Sequence, residues 1–186
     1  MIKFHYKNQI HNFFHIPKTA GTSISFLIQD NFKHELIWEI YEKDYNLGSQ
    51  HLSYSFFKKH VSPGDINFAV VRSPVDRIVS LYKNFAAKGY EYKSFLDWFW
   101  HIKKHSPHIL KSQYNLLKGG KYIFYNFDSL YLLENYLELK LPRYNVIELP
   151  LNIGKKEIKF IKRYYQEDFQ LLEYISSSPQ DCALKI

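Results

Sequence analysis

The segment FFHIPKTAGTSISFLI, residues Phe13–Ile28, sets the first expectation for the fold. Its apolar start predicts the end of a buried strand, and its apolar end continues as an amphipathic helix. Between the two lie Lys18 and Gly21, followed by the hydroxyl residues Thr22 and Ser23. A glycine lets backbone N–H groups approach a ligand closely, and a helix N-terminus attracts negative charge. The segment therefore predicts an anion-binding turn between a strand and a helix.

A second junction of this kind is NFAVVRSPVDRIVSLYKNF, residues 67–85. Ser73 suits the N-cap, Pro74 the first helical position and Asp76 the third, so the helix is expected to begin directly after Arg72. Its core-facing stripe is predicted to contain Val75, Ile78, Val79, Tyr82 and Phe85. Another face, where a hydroxyl is open to a ligand, is predicted to carry Ser73, Arg77, Ser80 and Asn84.

Short apolar runs alternate with helical patterns along the whole chain, which is typical of α/β proteins. Buried strands are predicted at Asn12–His15, Ile66–Val71 and Tyr122–Phe127. Helices are predicted at Thr22–Phe32, Ser53–His60, Pro74–Ala87, Ser94–Lys104, His108–Leu117, Ser129–Leu139 and Lys155–Ile175. We expect one domain over residues 1–186, with a three-layer αβα architecture around a central, mainly parallel sheet.

The composition favours a folded protein that binds an anion. Lys and Arg number 25 against 18 Asp and Glu, for a formal net charge of +7. This balance alone leaves nucleotide, acidic glycan and nucleic acid open as ligands. The single cysteine, Cys182, excludes an internal disulfide. No run approaches the roughly 18 apolar residues of a membrane span, and the N-terminus lacks the apolar core of a signal peptide, so a cytoplasmic protein without a membrane span is expected.

The predicted anion-binding turn differs from the P-loop of nucleotide hydrolases. A Walker A motif reads G-x-x-x-x-G-K-[ST], with its lysine after the last glycine. Here Lys18 precedes Gly21, and no apolar strand is followed by an evident metal-holding aspartate. An ATP or GTP hydrolase is therefore disfavoured.

Two motifs resemble the nucleotide-binding segments of the carbohydrate sulfotransferases that use 3′-phosphoadenosine-5′-phosphosulfate (PAPS). FHIPKTAGTS resembles their 5′-phosphosulfate loop, and VVRSPVDRIVSLY resembles their 3′-phosphate motif, R-x-P-x-x-R-x-x-S-x-Y. The most similar branch is that of the uronyl and heparan sulfate 2-O-sulfotransferases and their bacterial relatives. Looser similarity, extending the resemblance over roughly residues 12–175, is found in HSPHILKSQYN, YIFYNFDSL, LPLNIGKK and YYQEDFQLLEY.

The resemblance implies a P-loop-like sulfotransferase fold and a set of contacts to the 5′ end of PAPS. Lys18 would contact the sulfuryl group and the bridging oxygen, where it would counter the charge that builds on the departing phosphate. The 5′-phosphate would be held by the loop residues Thr19, Ala20, Gly21, Thr22 and Ser23.

At the other end of the nucleotide, the resemblance implies that Arg72 and Ser80 hold the 3′-phosphate that distinguishes PAPS from ATP. A guanidinium fork and a hydroxyl are both suited to phosphate oxygens. Lys155, which follows the Asn152 loop, is a further candidate for this phosphate or for a sulfated acceptor. No metal ion is expected, because lysine and backbone amides can neutralise the charge.

Sulfuryl transfer to an alcohol needs a general base, because the attacking hydroxyl must lose its proton. The chain has nine histidines. The segment GSQHLSYSFF is similar to one in the 2-O-sulfotransferase branch in which a histidine precedes a short helix, which puts His51 in the position of the base. That branch carries a second histidine two residues earlier, where this chain has Ser49. We interpret His15, beside the predicted anion-binding turn, as a packed residue at a strand end.

Two interpretations concern the second half of the chain. Helical spacing places Trp98 on a core stripe with Phe95 and Phe99, which leaves Trp100 the freer residue. The basic residues that follow Lys156, up to Arg163, are interpreted as a solvated helix face.

These observations predict a PAPS-dependent sulfotransferase that acts on a hydroxyl of a carbohydrate acceptor and has no nucleic acid partner. The alternative from another class is a catalytically inactive PAP- or PAPS-binding protein that acts in polysaccharide assembly. A P-loop kinase and a basic RNA-binding domain are weaker alternatives. The sequence specifies neither the sugar, nor the hydroxyl that is modified, nor the oligomeric state.

Overall fold

The computed structural model describes residues 1–37, 39, 51–144, 147, 149, 153–178 and 183–186. Ser49, Asn152 and Cys182 lie outside the described residues. The strands are β1 (Ile2–Tyr6), β2 (Gln9–Phe14), β3 (His34–Leu36), β4 (Ile66–Val71), β5 (Lys121–Asn126) and β6 (Leu184–Lys185). They form one six-stranded sheet in the order β3-β1-β2-β4-β5-β6.

Helices flank this sheet. They are α1 (Gly21–Asn31), α2 (Tyr54–Phe57), α3 (Pro74–Ala87), α4 (Phe95–His105), α5 (Gln113–Leu117), α6 (Leu130–Leu137), α7 (Lys155–Tyr164) and α8 (Gln166–Ser176). Short 3₁₀ turns occur at Lys58–His60, Pro107–Leu110 and Phe127–Ser129. Within the part of the chain that the structure describes, no helix combines the length and apolar character needed to cross a membrane.

The central strands carry alternating side chains to two apolar clusters, one on each face of the sheet. Phe13 and Phe68 pack with residues of α1 and α6. Phe14 and Ala69 pack on the other face with residues of α2 and α5. This alternation is the period-two pattern of a strand that is buried on both faces. The three-layer α/β prediction is therefore confirmed.

The sheet is mixed. β2 runs parallel to β4, and β4 runs parallel to β5, whereas β1, β3 and β6 pair antiparallel with their neighbours.

All three predicted strands are present at the centre of the sheet. β1 was not predicted; it joins β2 through Lys7 and Asn8, both at positive φ. Two central residues at positive φ form the turn that suits a tight hairpin, but Lys-Asn is a weaker sequence signal for it than Asn-Gly.

Two predicted helices are interrupted. The helix predicted at His108–Leu117 is a 3₁₀ turn followed by α5, because Ser112 accepts a hydrogen bond from the N–H of Asn115 and starts a new helix there. The helix predicted at Lys155–Ile175 is divided at Tyr165, the C-cap of α7. The Tyr165 hydroxyl donates to the Leu110 carbonyl at 2.8 Å, a long-range contact that helical periodicity does not reveal.

A third apolar cluster joins α3, α4 and α7. It contains Ile78 and Leu81 of α3, Trp98 and Phe99 of α4 and Ile161 of α7. Trp98 is buried and Trp100 is exposed, as the helical spacing predicted.

Helix α3 has the predicted bounds, but the prediction that Arg77 shares the open face of Ser80 is wrong. Arg77 is fully buried. Its Nη2 donates to the Lys111 carbonyl at 3.0 Å and lies 3.7 Å from an oxygen of Asp168, which is also fully buried. Burial raises the pKa of Asp168, against the effect of Arg77, which lowers it. Through this pair, Arg77 of α3 holds α8 against the core.

Replacing Asp168 by Asn should destabilise the protein strongly, because Arg77 would keep its buried charge and lose its counter-charge. Removal of one partner from a buried pair costs about 3–5 kcal/mol. The free energy of unfolding from urea denaturation measures the change. Glu138→Gln is the control, because it breaks an exposed pair in which the carboxylate lies 2.7 Å from Lys7; little change is expected there. Equal effects of the two substitutions would contradict the assigned role of Arg77.

Candidate functional site

The turn between β2 and α1 has a strained backbone. Lys18 and Ala20 both lie in the left-handed region, at φ values of 67° and 65°. For residues other than glycine this conformation costs about 1–2 kcal/mol each, and such strain concentrates at functional sites. Ala20 is the N-cap of α1 and supplies no side-chain cap. The first N–H groups of the helix lack intrahelical acceptors, so this end of α1 is suited to an anion.

Gly21 is required by the closeness of His15. A Cβ atom built on Gly21 would lie 1.8 Å from Cδ2 of His15. The His15 ring is itself stacked on Phe13, with 5.9 Å between ring centroids. The glycine therefore allows an imidazole to pack directly against the start of α1.

One cleft of about 770 Å³ is lined by residues from both predicted motifs. The predicted site residues that line it are Lys18, Ala20, Gly21, Thr22, Ser23, Arg72 and Ser80. The guanidinium of Arg72 donates through Nη1 to the Lys18 carbonyl at 3.3 Å. Two segments more than fifty residues apart in sequence thus form one site.

The Arg72 backbone is held by the side chain of Gln113, the first residue of α5. The Arg72 N–H donates to Oε1 of Gln113 at 3.0 Å, and Nε2 of Gln113 donates to the Arg72 carbonyl at 2.8 Å. Gln113 is fully buried, and the N–H of the next residue, Tyr114, donates to Oδ1 of Asp168 at 2.9 Å. The side-chain amide of Gln113 thus satisfies both backbone groups of Arg72, as a neighbouring strand would, just beyond the end of β4. Gln113 lies in HSPHILKSQYN, a segment of looser family similarity, and its role at Arg72 was not predicted.

The charges at the cleft favour an anionic ligand. Burial, followed by the charges of Arg72 and Lys88, lowers the pKa of Lys18. Burial also lowers the pKa of Arg72, while Asp76 and Asp128 act in the opposite direction. A group that is penalised by burial and by a like charge is stabilised when an anion binds beside it. The guanidinium of Arg72 also lies 4.0 Å from the centroid of the Phe127 ring, which limits its orientation.

The comparisons with known proteins agree with this geometry. A model described as the Sulfotransferase family matches residues 7–136, which include both the β2–α1 turn and the β4–α3 junction. The chain belongs to the sulfotransferase family. Membership indicates a transferase of sulfuryl groups. Searches of curated proteins and of solved structures found no match.

The cleft face of α3 in this sulfotransferase differs from the predicted one. The lining residues of α3 are Asp76, Val79, Ser80 and Lys83. They follow the spacing i, i+3, i+4 and i+7, so they share one side of the helix. Val79, predicted in the core stripe, therefore lies at the cleft. Lys83 lies three residues after Ser80 on the same side of α3. Helical spacing from Ser80 would therefore have identified Lys83 as a further cleft cation besides Lys18 and Arg72.

The opposite wall of the cleft was not predicted. It is formed by Phe127, Asp128, Leu130, Tyr131, Glu134, Leu141, Pro142, Arg143, Tyr144 and Ile147. Glu134 accepts a hydrogen bond from the N–H of Leu141 at 2.9 Å, and the N–H of Tyr144 donates to Oγ of Ser23 at 3.2 Å. The segment after α6 is thus attached to α1, a long-range contact that leaves no periodic signal in the sequence.

Two of the predicted ligand residues do not line the cleft of the sulfotransferase. Thr19 is fully buried, and its hydroxyl donates to the Ile16 carbonyl at 3.0 Å, so that this hydroxyl stabilises the turn itself. Lys155 is the exposed first residue of α7 and is not among the lining residues. Among the described residues there is no cluster of three or more His, Cys, Asp or Glu side chains that could hold a metal ion.

His51, the predicted base, packs against His15, which is a residue of the cleft wall. The two rings are nearly perpendicular, with centroids 4.7 Å apart, and His51 hydrogen-bonds to the backbone of His15. His15 lines the cleft, whereas His51 is not among the lining residues. Burial lowers the pKa of His51 to about 4, which keeps the imidazole neutral at pH 7. A neutral imidazole can accept a proton.

Replacing Gln113 by Met should destabilise the protein by about 1–3 kcal/mol, because both backbone groups of Arg72 would lose their partner. The free energy of unfolding from urea denaturation is the measurement. The same substitution at Gln170, which is exposed on α8, controls for the change of side chain and should have little effect. A Gln113→Met variant as stable as the Gln170→Met variant would rule out the proposed support of Arg72.

The free energy of unfolding should fall as the pH decreases from about 6.5 to about 4, in part because of His51. In this window an unfolded histidine binds a proton that folded His51 does not bind, so acid favours the unfolded state. His51→Asn should remove this contribution, at most about 3 kcal/mol, and flatten the pH profile. His5→Asn, at an exposed histidine of β1, is the control. Parallel profiles for wild type and His51→Asn would refute the prediction.

Proposed function

We propose that the protein transfers a sulfuryl group from PAPS to a hydroxyl of a carbohydrate acceptor. The observation that carries this proposal is the meeting of Lys18 and Arg72 at one cleft, with the Arg72 guanidinium 3.3 Å from the Lys18 carbonyl. PAPS carries phosphate at both the 3′ and the 5′ position of its ribose and needs cationic groups for both. The choice of a carbohydrate acceptor rests on the resemblance to the 2-O-sulfotransferase branch.

In this proposal the N-terminus of α1 holds the 5′-phosphate. The N–H groups of Gly21, Thr22 and Ser23 would donate to its oxygens, and the helix dipole would add to the attraction. The ammonium of Lys18 would lie at the oxygen that bridges phosphorus and sulfur. These groups would supply the positive charge that the reaction requires, without a metal ion.

The 3′-phosphate would bind Arg72 and Ser80. A charge-assisted, bidentate contact from a guanidinium is the strongest that a side chain offers to phosphate. Lys83, one turn beyond Ser80 on the cleft face of α3, would add a second charge. Lys155, which the sequence analysis included, lies outside the residues that line the cleft, and we leave it out of this contact.

Transfer would proceed by in-line displacement at sulfur. The acceptor oxygen forms a bond to sulfur while the bond from sulfur to the bridging oxygen breaks, and the electron pair of that bond leaves with the 5′-phosphate of PAP. Lys18 would neutralise the charge that develops on the leaving oxygen. The proton of the acceptor hydroxyl would go to His51, our proposed base, with His15 as the neighbouring imidazole at the cleft.

Titration with PAP, the desulfated product, tests the nucleotide site. PAP should raise the melting temperature of the protein by ligand linkage, and ADP, which lacks the 3′-phosphate, should do so much less. Arg72→Met should remove the preference for PAP over ADP. Lys18→Ala should bind PAP but lose transfer from labelled PAPS by at least about 100-fold, whereas Lys88→Ala, at a nearby exposed lysine, should retain most of it.

The outcomes separate the alternatives. No thermal shift at millimolar PAP would refute the PAPS site, and a preference for ATP with Mg²⁺ would favour a kinase. Binding of PAP without transfer to any glycan in a labelled-PAPS screen would favour the inactive binding protein. For the base, His51→Ala should abolish transfer and leave PAP binding intact. If His15→Ala alone has that effect, the base is His15 and the assignment of His51 is wrong.

A further inference from the structure

Helix α7 carries a one-sided basic surface. Its cations are Lys155, Lys156, Lys159, Lys162 and Arg163, and every one of them is exposed. At about 100° per residue they fall within an arc of about 120° of the helix circumference. Ile161, on the opposite side, is fully buried against the third apolar cluster. The following helix α8 contains no Lys or Arg at all, so the charge is concentrated on α7.

Exposed apolar side chains of α4 adjoin this basic surface. Trp100 is 54% exposed, and Leu96, one turn earlier, is 38% exposed. The centroids of the Trp100 and Phe160 rings are 6.1 Å apart, and Phe160 lies on α7 next to the cations. On the same flank, Nζ of Lys103 lies 5.4 Å from the centroid of the Tyr164 ring.

These residues form one surface, which we name the α4–α7 face: Leu96, Trp100, Lys103, Lys155, Lys156, Lys159, Phe160, Lys162 and Arg163. We propose that the α4–α7 face docks the protein on an anionic membrane surface. Lysines and arginines would lie among the lipid phosphates, and the Trp100 indole would enter the interfacial layer that tryptophan prefers. The interpretation of Lys159, Lys162 and Arg163 as a merely solvated face does not account for the indole and the leucine beside them.

A membrane suits this face better than a soluble polyanion does, because lipid takes up both Trp100 and the aliphatic Leu96. A sulfated polysaccharide would pair with the cations alone, and a nucleic acid base would stack on the indole but leave Leu96 in water. The position of the face also supports docking. α3 separates it from the cleft: Ile78 and Leu81 of α3 pack towards α7, whereas Ser80 and Lys83 line the cleft. Docking would therefore leave the cleft open. The proposal is independent of the proposed transfer reaction, because no residue of the face lines the cleft.

The test is co-sedimentation of the full chain with vesicles of phosphatidylcholine mixed with phosphatidylserine, compared with phosphatidylcholine alone. Binding should require the anionic lipid and should weaken as salt is added. Tryptophan emission should shift to the blue, and the shift should be absent in Trp100→Ala. Thermal melting would show that this variant is folded.

Matched charge reversals give the decisive comparison. Each cation near an anionic membrane contributes about 5-fold to partitioning, so reversal of Lys156, Lys159 and Arg163 to Glu should lower vesicle binding by at least about 100-fold. The control reverses the exposed lysines Lys58, Lys118 and Lys121, with the same change in net charge.

Two results would overturn the proposal. One is an equal loss of binding in both triple variants, which would mean that net charge alone attracts the protein. The other is binding to a soluble polyanion, such as dextran sulfate or RNA, without vesicle binding or an emission shift. Neither result would bear on PAP binding or sulfuryl transfer, which are measured separately.

Discussion

The parallel pairing of β2 with β4 is the constraint on which the site depends. Phe13 pairs with Phe68 and Phe14 with Ala69, so the two strands end at the same edge of the sheet. In parallel sheets, ligands bind at this edge, where the loops lead into helix N-termini. The register places the strained turn at Lys18 beside the first residue after β4. The hydrogen bond from Arg72 to the Lys18 carbonyl is a consequence of that register.

A chain of buried polar groups connects this edge to the far end of the sequence. Arg77 pairs with Asp168, Asp168 accepts a hydrogen bond from the N–H of Tyr114, and the adjacent Gln113 holds both backbone groups of Arg72. Every group in this chain is costly to bury alone, so the members stabilise one arrangement together. α8, remote in sequence from the turns after β2 and β4, thereby supports the backbone of a cleft cation. The same motif thus contains one arginine that lines the cleft and one that supports the core.

α3 separates two cationic surfaces with different character. Its cleft side carries Ser80 and Lys83 beside partly buried cations whose charge is penalised until an anion approaches. Its other side packs against α4 and α7, whose outer surface is exposed, basic and apolar at once. Deep, partly desolvated charge suits a small polyanion that is held at fixed positions, whereas exposed charge with an adjoining indole suits a broad anionic surface.

The sequence determined the central strands, the bounds of α3 and the two turns that follow β2 and β4, because each depends on local periodicity, capping and turn chemistry. It also identified seven of the residues that line the cleft, because those turns and the helices that follow them carry these residues. It did not determine the direction of Arg77, the role of Gln113, the wall to which residues 141–144 and 147 contribute, or the packing of His51 behind His15. These depend on contacts between segments many residues apart, and only the tertiary structure decides which face of a helix meets the core and which polar group finds its partner there.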